Sequence, residues 1–158
     1  MEPQVVTYAG FWKRVAAYLI DGLILGLVNF LVLVPFLAVI GVGAGVGSSM
    51  DNPEAAAGLI GLIFGGLFFA LFVLMILAWL YFALMESSSR QATLGKMALG
   101  IIVTDLNAGK ISFGKATGRY FGKIISGMIL YIGFIMAAFT EKKQALHDMM
   151  AGTLVVNK

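Results

Sequence analysis

The chain has no cysteine. That excludes disulfides, thiol nucleophiles and cysteine-ligated metals, and it carries no information on compartment. Charge is nearly as scarce. Asp, Glu, Lys and Arg together make up 12% of the 158 residues, against roughly 25% in a soluble domain. There is one histidine, so a metal site built on several imidazoles is excluded, and no metal or other cofactor is expected. No phosphate-cradling loop, nucleophile triad or metalloprotease motif is present, which argues against an enzyme.

What the chain has in quantity is apolar surface: 60% hydrophobic residues and a mean hydropathy of +0.96. A soluble protein of this composition has no means of making its surface, so the reading is an integral membrane protein of one domain, residues 1–158. The net charge of +3 gives little support to nucleic-acid binding. The basic residues flank apolar segments, where the lipid bilayer and its anionic headgroups are the expected partners.

The first apolar segment runs from Val15 to Pro35, long enough to cross a hydrocarbon core of roughly 30 Å. It is too long for the core of a secretory signal peptide and contains Asp21, so it is expected to be retained. Asp21 follows Arg14 by seven residues, about 10 Å deeper along a helix axis. An unpaired carboxylate at mid-membrane costs on the order of 3 kcal/mol. On a helical wheel Arg14, Tyr18, Asp21, Leu25 and Asn29 form one stripe, within roughly 80° of one another. That stripe is expected to face protein or a wet cavity, not lipid.

A Gly-rich, acidic stretch over 41–57 reads as a loop without Lys or Arg, which marks the outer side. The second span is expected over 59–85, with Trp79, Tyr81 and Phe82 as interface aromatics. Residues 86–119 hold Arg90, Lys96, Lys110, Lys115 and Arg119 and read as a cytoplasmic loop. Within it a helical turn over 93–99 and a short β-hairpin, 101–104 with 110–112, are expected, with Ser112 capping the next helix. Lys115, Arg119 and Lys123 then recur every four residues. They read either as a basic face lying on headgroups or as a source of a partner for Asp21.

The third apolar segment, 120–139, is short for a straight crossing. Bent or re-entrant, it leaves the C-terminus inside; spanning, it places Lys142, Lys143 and Lys158 outside, against the positive-inside bias. A strand over 153–156 needs a partner, and the candidates lie in the 86–119 segment, so the bent form and two cytoplasmic termini are preferred. Residues 140–152 read as a short helix capped by Thr140, presenting His147 beside Asp148. The fold class is thus all-α with two transmembrane helices, a third apolar element, a short cytoplasmic hairpin and a C-terminal strand.

Three blocks, GFWKRVAAYLIDGLIL, TLGKMALGIIVTDLNAGKISFGKATGRYFGK and KKQALHDMMAGTLVV, resemble the RDD family of bacterial integral membrane proteins. The family is named for an arginine and two aspartates. The resemblance places the arginine at Arg14 and the first aspartate at Asp21. It puts the second at Asp148, with Asp105 as the alternative. It implies a bacterial cytoplasmic-membrane location and, for some members, cation/proton exchange.

Two functional readings follow. In the first, Asp21, with Tyr18 and Asn29, binds or exchanges a cation or proton, and a homo-oligomer supplies the helices one chain lacks. In the second, the Arg/Asp set is structural and the protein is a membrane scaffold or accessory protein. Arg14 and Asp21 stand two helical turns apart and do not meet easily, so Arg14 is expected to pair with Asp148, tying the tail to the first span. His147 beside Asp148 reads as a capping or packing residue, or as one member of a proton relay.

Overall fold

The computed structural model describes residues 7–47 and 52–158. Two long helices dominate: α1, Phe11–Gly47, and α2, Pro53–Ser87. Both are long and apolar enough to cross a membrane. Each exceeds its expected limits of 15–35 and 59–85. The helix does not stop at Pro35 but carries it inside, and most of the supposed loop is helical, with residues 48–51 outside the described part. Helix breakers lose force where no water competes for backbone groups, which is why apolar spans tolerate Pro and Gly.

The chain divides into two compact units. One gathers the residues up to Gly22 with Trp79–Lys158, and the other is Leu23–Ala78. The second unit consists of parts of α1 and α2, with Leu23, Leu27, Leu31, Leu62, Phe64 and Phe68 exposed. Such a surface suits lipid. Within it Gly66 lets the Phe36 ring approach, since a Cβ there would stand 3.1 Å from Cζ.

The first unit carries the chemistry. After α2 come α3 (Leu94–Ala98), β1 (Ile101–Asp105), α4 (Phe113–Met128), α5 (Ile132–Ile135) with a 3-10 turn over Met136–Ala138, α6 (Leu146–Met150) and β2 (Thr153–Asn157). Strands β1 and β2 pair antiparallel, with Val103 opposite Val155. Residues before α1 extend the edge: Tyr8 bridges Val156, and the Ala9 amide donates to the Val155 carbonyl at 2.9 Å. Ile101, Val103, Ile111 and Val155 form the apolar core with Ala9, Ala17, Ala83 and Ala116. The alanines let α1, α2 and α4 approach the sheet closely.

The expected hairpin is a turn without a second strand. Asp105 closes it, accepting the Asn107 and Gly109 amides at 2.9 and 2.7 Å. The far edge of β1 is taken by Gln91, whose carbonyl receives the Val103 amide at 2.7 Å and whose side-chain amide donates to the Val103 carbonyl at 3.0 Å. Ser112 caps α4 as expected, accepting the Lys115 amide, which leaves too few residues for a returning strand.

The third apolar segment is bent. The axes of α4 and the α5 turn meet at 117°. The break falls at Leu130 and Tyr131, both left-handed with φ of 54° and 61°. Gly133 allows the fold-back, since a Cβ there would lie 2.6 Å from Ser126 Oγ. The helix expected over 140–152 shrinks to α6. Thr140 does not cap it; Asp148 does, accepting the Ala145 amide at 3.1 Å.

Trp79, Tyr81 and Phe82 are not simple belt residues. Trp79 Nε1 donates to Thr117 Oγ1 at 3.2 Å, its ring lies 6.0 Å from that of Phe113, and Phe82 is buried.

The tightest approach in this unit is at Gly95, where a Cβ would fall 2.2 Å from the Ala17 carbonyl oxygen. Gly95→Ala is therefore expected to lower unfolding free energy by about 1–3 kcal/mol, read as a fall in the thermal midpoint of the micelle-solubilised protein. An unchanged midpoint would refute the close approach of α3 to α1.

Candidate functional site: a buried polar cluster around two carboxylates and a cavity

Asp21 is 1% exposed. Its Oδ1 accepts from the Tyr81 hydroxyl at 2.7 Å and from the Gly95 amide at 2.8 Å. Its Oδ2 accepts from Thr93 Oγ1 at 2.6 Å. All three donors are neutral, and among the described residues no cation stands within ion-pairing distance. The local reason is legible. Asp21 lies on the face of α1 toward α3, and the missing side chain at Gly95 lets an amide reach the carboxylate. Tyr81 completes the set by also accepting the Leu94 amide at 3.0 Å.

The cations go elsewhere. Glu86, at the end of α2, receives Lys96 at 2.5 Å, Arg119 at 3.0 Å and Lys123 at 3.2 Å. Asp148 receives Arg14 on one oxygen, and Arg119 at 2.7 Å on the other. Arg119 thus bridges both acids, and its Nη1 also donates to Thr153 Oγ1 at 2.6 Å. It is 1% exposed. Lys123 lies over the Phe82 ring, 4.3 Å from its centre, an arrangement that favours the cation further.

Burial and charge act on the groups outside the spans. Burial pushes the Lys96 ammonium down to about 8, against the pull of Glu86. Burial alone would raise the Asp148 carboxyl, but the two arginines hold it well below the usual carboxylate range. Burial drives the His147 imidazole down to about 3. Its Nε2 lies 3.4 Å from Asp148 Oδ1 and its ring 5.1 Å from that of Phe134. A neutral histidine here is a packed neighbour of the ion pairs. Gly122 receives it, since a Cβ at that position would be 2.9 Å from His147 Cβ.

A cavity of about 270 Å³ adjoins the cluster. Arg14, Asp21, Lys96, Arg119, Lys123 and His147 border it on the polar side, and Phe11, Val15, Tyr18, Phe82 and Phe134 on the apolar side. Tyr18, one of the stripe residues, is therefore at the cavity, with its ring 6.3 Å from that of Phe134. Asn29 is not among the lining residues and belongs to the other unit.

Of the residues expected from sequence, Arg14 and Asp148 are in contact, with His147 beside them. Asp105 is not there, being occupied with its turn. The basic ridge does not supply a partner for Asp21. Arg119 and Lys123 turn inward, and they reach Glu86 rather than Asp21, while Lys115 is exposed. The sequence reading missed Glu86, Thr93 and Lys96. Glu86 had a signal: it is an acid directly after a long charge-free apolar run, at the head of a segment rich in bases. Thr93 and Gly95 had none.

Two apolar spans joined to a unit built around buried ion pairs define an integral membrane protein. The chain belongs to the RDD family, whose model matches residues 8–152. Two relatives come from Bacillus subtilis (strain 168). The "Uncharacterized protein YxaI" is 39% identical over 151 residues, covering 95% of this chain and 97% of that one. The "Uncharacterized membrane protein YteJ" is 34% identical over 158 residues, covering 96% of this chain and 82% of that one. No solved structure matches the chain.

The depressed His147 value sets a pH dependence. The folded state refuses a proton that the unfolded chain takes up below 6.5. Stability should therefore fall as pH drops from 6.5 toward about 4.5, by up to about 1.4 kcal/mol per unit. Since the chain has one histidine, His147→Gln should flatten the thermal midpoint over this window. A parent protein with a flat profile would contradict the buried neutral imidazole.

Proposed function

We propose that this protein is a non-enzymatic scaffold or accessory protein of the bacterial cytoplasmic membrane. Its Arg14, Asp21 and Asp148 hold the fold and do not carry a substrate. The observation behind this reading is the state of Asp21. Both of its oxygens are occupied by hydrogen bonds from Tyr81, Thr93 and Gly95. Those three donors take most of the carboxylate's acceptor capacity, and the cavity that Asp21 borders is also bordered by Arg and Lys. Both termini are assigned to the cytoplasm. Tyr8, β1 and β2 share one small sheet, and the basic residues of 86–119 lie on the same side as β1 by the positive-inside rule.

A second reading, cation/proton exchange at Asp21 in a homo-oligomer, draws support from one fact: Asp21 borders the cavity. Proteoliposomes separate the two. The scaffold reading expects no Na⁺- or K⁺-driven proton flux above protein-free vesicles. It also expects Asp21→Asn, which turns an acceptor toward three donors into a mixed group, to lose about 1–3 kcal/mol of stability. Cation-driven flux in the parent protein, abolished in an Asp21→Asn variant of unchanged midpoint, would overturn it.

A further inference from the structure

We propose that the cavity beside the ion pairs seats the headgroup of an anionic phospholipid. The inference does not depend on which of the two functional readings holds.

The first ground is charge. Arg14, Lys96, Arg119 and Lys123 all border the cavity, whereas Glu86 and Asp148, which pair with them, do not. The carboxylate that does border it, Asp21, accepts three neutral donors and pairs with none of these cations. Counting Asp21, four cations stand against three carboxylates. His147 is neutral and does not alter the balance. A buried surplus of positive charge is costly until an anion joins it.

The second ground is an available donor. Glu86 Oε1 already holds Lys96 at 2.5 Å and shares its remaining capacity with Lys123 at 3.2 Å. Lys123 makes the longest of the three contacts on Glu86. An ammonium on a flexible stem can swing to a phosphate while Lys96 and Arg119 keep Glu86 neutralised.

The third ground is shape. Tyr18, Tyr131 and Ile135 line the cavity and are themselves exposed, Tyr131 by 64%. The cavity's own surface is mainly apolar, with the four cations set at its wall, and Leu130, next to Tyr131 in the chain, is exposed as well. A free phosphate would use the first half of this site and leave the second empty. A phospholipid uses both, with the headgroup within about 270 Å³ and the acyl chains outside along the aromatic rim. In a membrane protein that ligand is always at hand.

Native mass spectrometry of the full chain, released from detergent and titrated with phosphatidylglycerol or with phosphatidylcholine of the same acyl chains, tests this. One phosphatidylglycerol per chain is expected to bind in preference to phosphatidylcholine. Lys123→Gln should weaken it about fivefold, while Lys115→Gln, on the exposed face of the same helix, should not. Tyr131→Glu places a negative charge at the exposed rim without touching the ion pairs, and should weaken it as well should Lys123→Gln prove unstable. Three results would overturn the proposal. The first is equal binding of the two lipids. The second is equal loss in the Lys115 and Lys123 variants, which would mean diffuse surface attraction. The third is competition by soluble glycerol phosphate as strong as by the lipid, which would mean a free-anion site.

Discussion

The arrangement of the first unit depends on one guanidinium held between two carboxylates. Arg119 meets Glu86 at 3.0 Å and Asp148 at 2.7 Å, with Thr153 on the same nitrogen as Asp148. Those partners come from the end of α2, from α6 and from the start of β2, while Arg14 brings α1 to Asp148. The helices that share the apolar core are thereby tied to one another by charge as well. The desolvation of so many charges offsets much of their attraction, so the network adds little net stability. Its effect is selective. A packing that separates Arg119 from both acids leaves a buried guanidinium unpaired, at a cost of about 3–5 kcal/mol, whereas Glu86 keeps Lys96 and Lys123 and Asp148 keeps Arg14.

Asp21 obeys a different logic. Its environment is neutral donors, two of them from the α3 segment and one from α2. It works as a polar rivet between α1 and the chain that follows α2, and it depends on a glycine for its one backbone donor. The two kinds of acid divide the labour. Glu86 and Asp148 gather the bases, and Asp21 gathers backbone and hydroxyls. The same division leaves the cavity bordered by cations, which is the electrostatic character that a cation pathway would avoid and an anionic headgroup would seek.

How far the sequence foretold this follows from what each signal measures. Hydropathy identified both long helices because lipid demands continuous apolar length, but it misplaced their ends, since Pro35 and the glycines after it break helices in water and not here. The bend in 120–139 was legible from its short length, and its break at Leu130 and Tyr131 was not, since neither residue type favours a left-handed backbone. The strand expected over 153–156 had two candidate partners, 101–104 and 110–112, and it pairs with the first. The hairpin failed because Gln91, distant in sequence, covers the edge of β1. The meeting of Arg14 with Asp148 was inferable from charge and topology. Which acid collects the ridge of bases on α4 was not, because helical spacing fixes a face and leaves its partner open.

The most direct test of the central claim is a double-mutant cycle on Arg119→Gln and Glu86→Gln, read by reversible unfolding in mixed micelles. A coupling energy of about 2 kcal/mol or more is predicted, as for close charge pairs withdrawn from water. Additivity within about 0.5 kcal/mol would mean that the guanidinium and the carboxylate do not depend on each other, and that the unit is held together by something else.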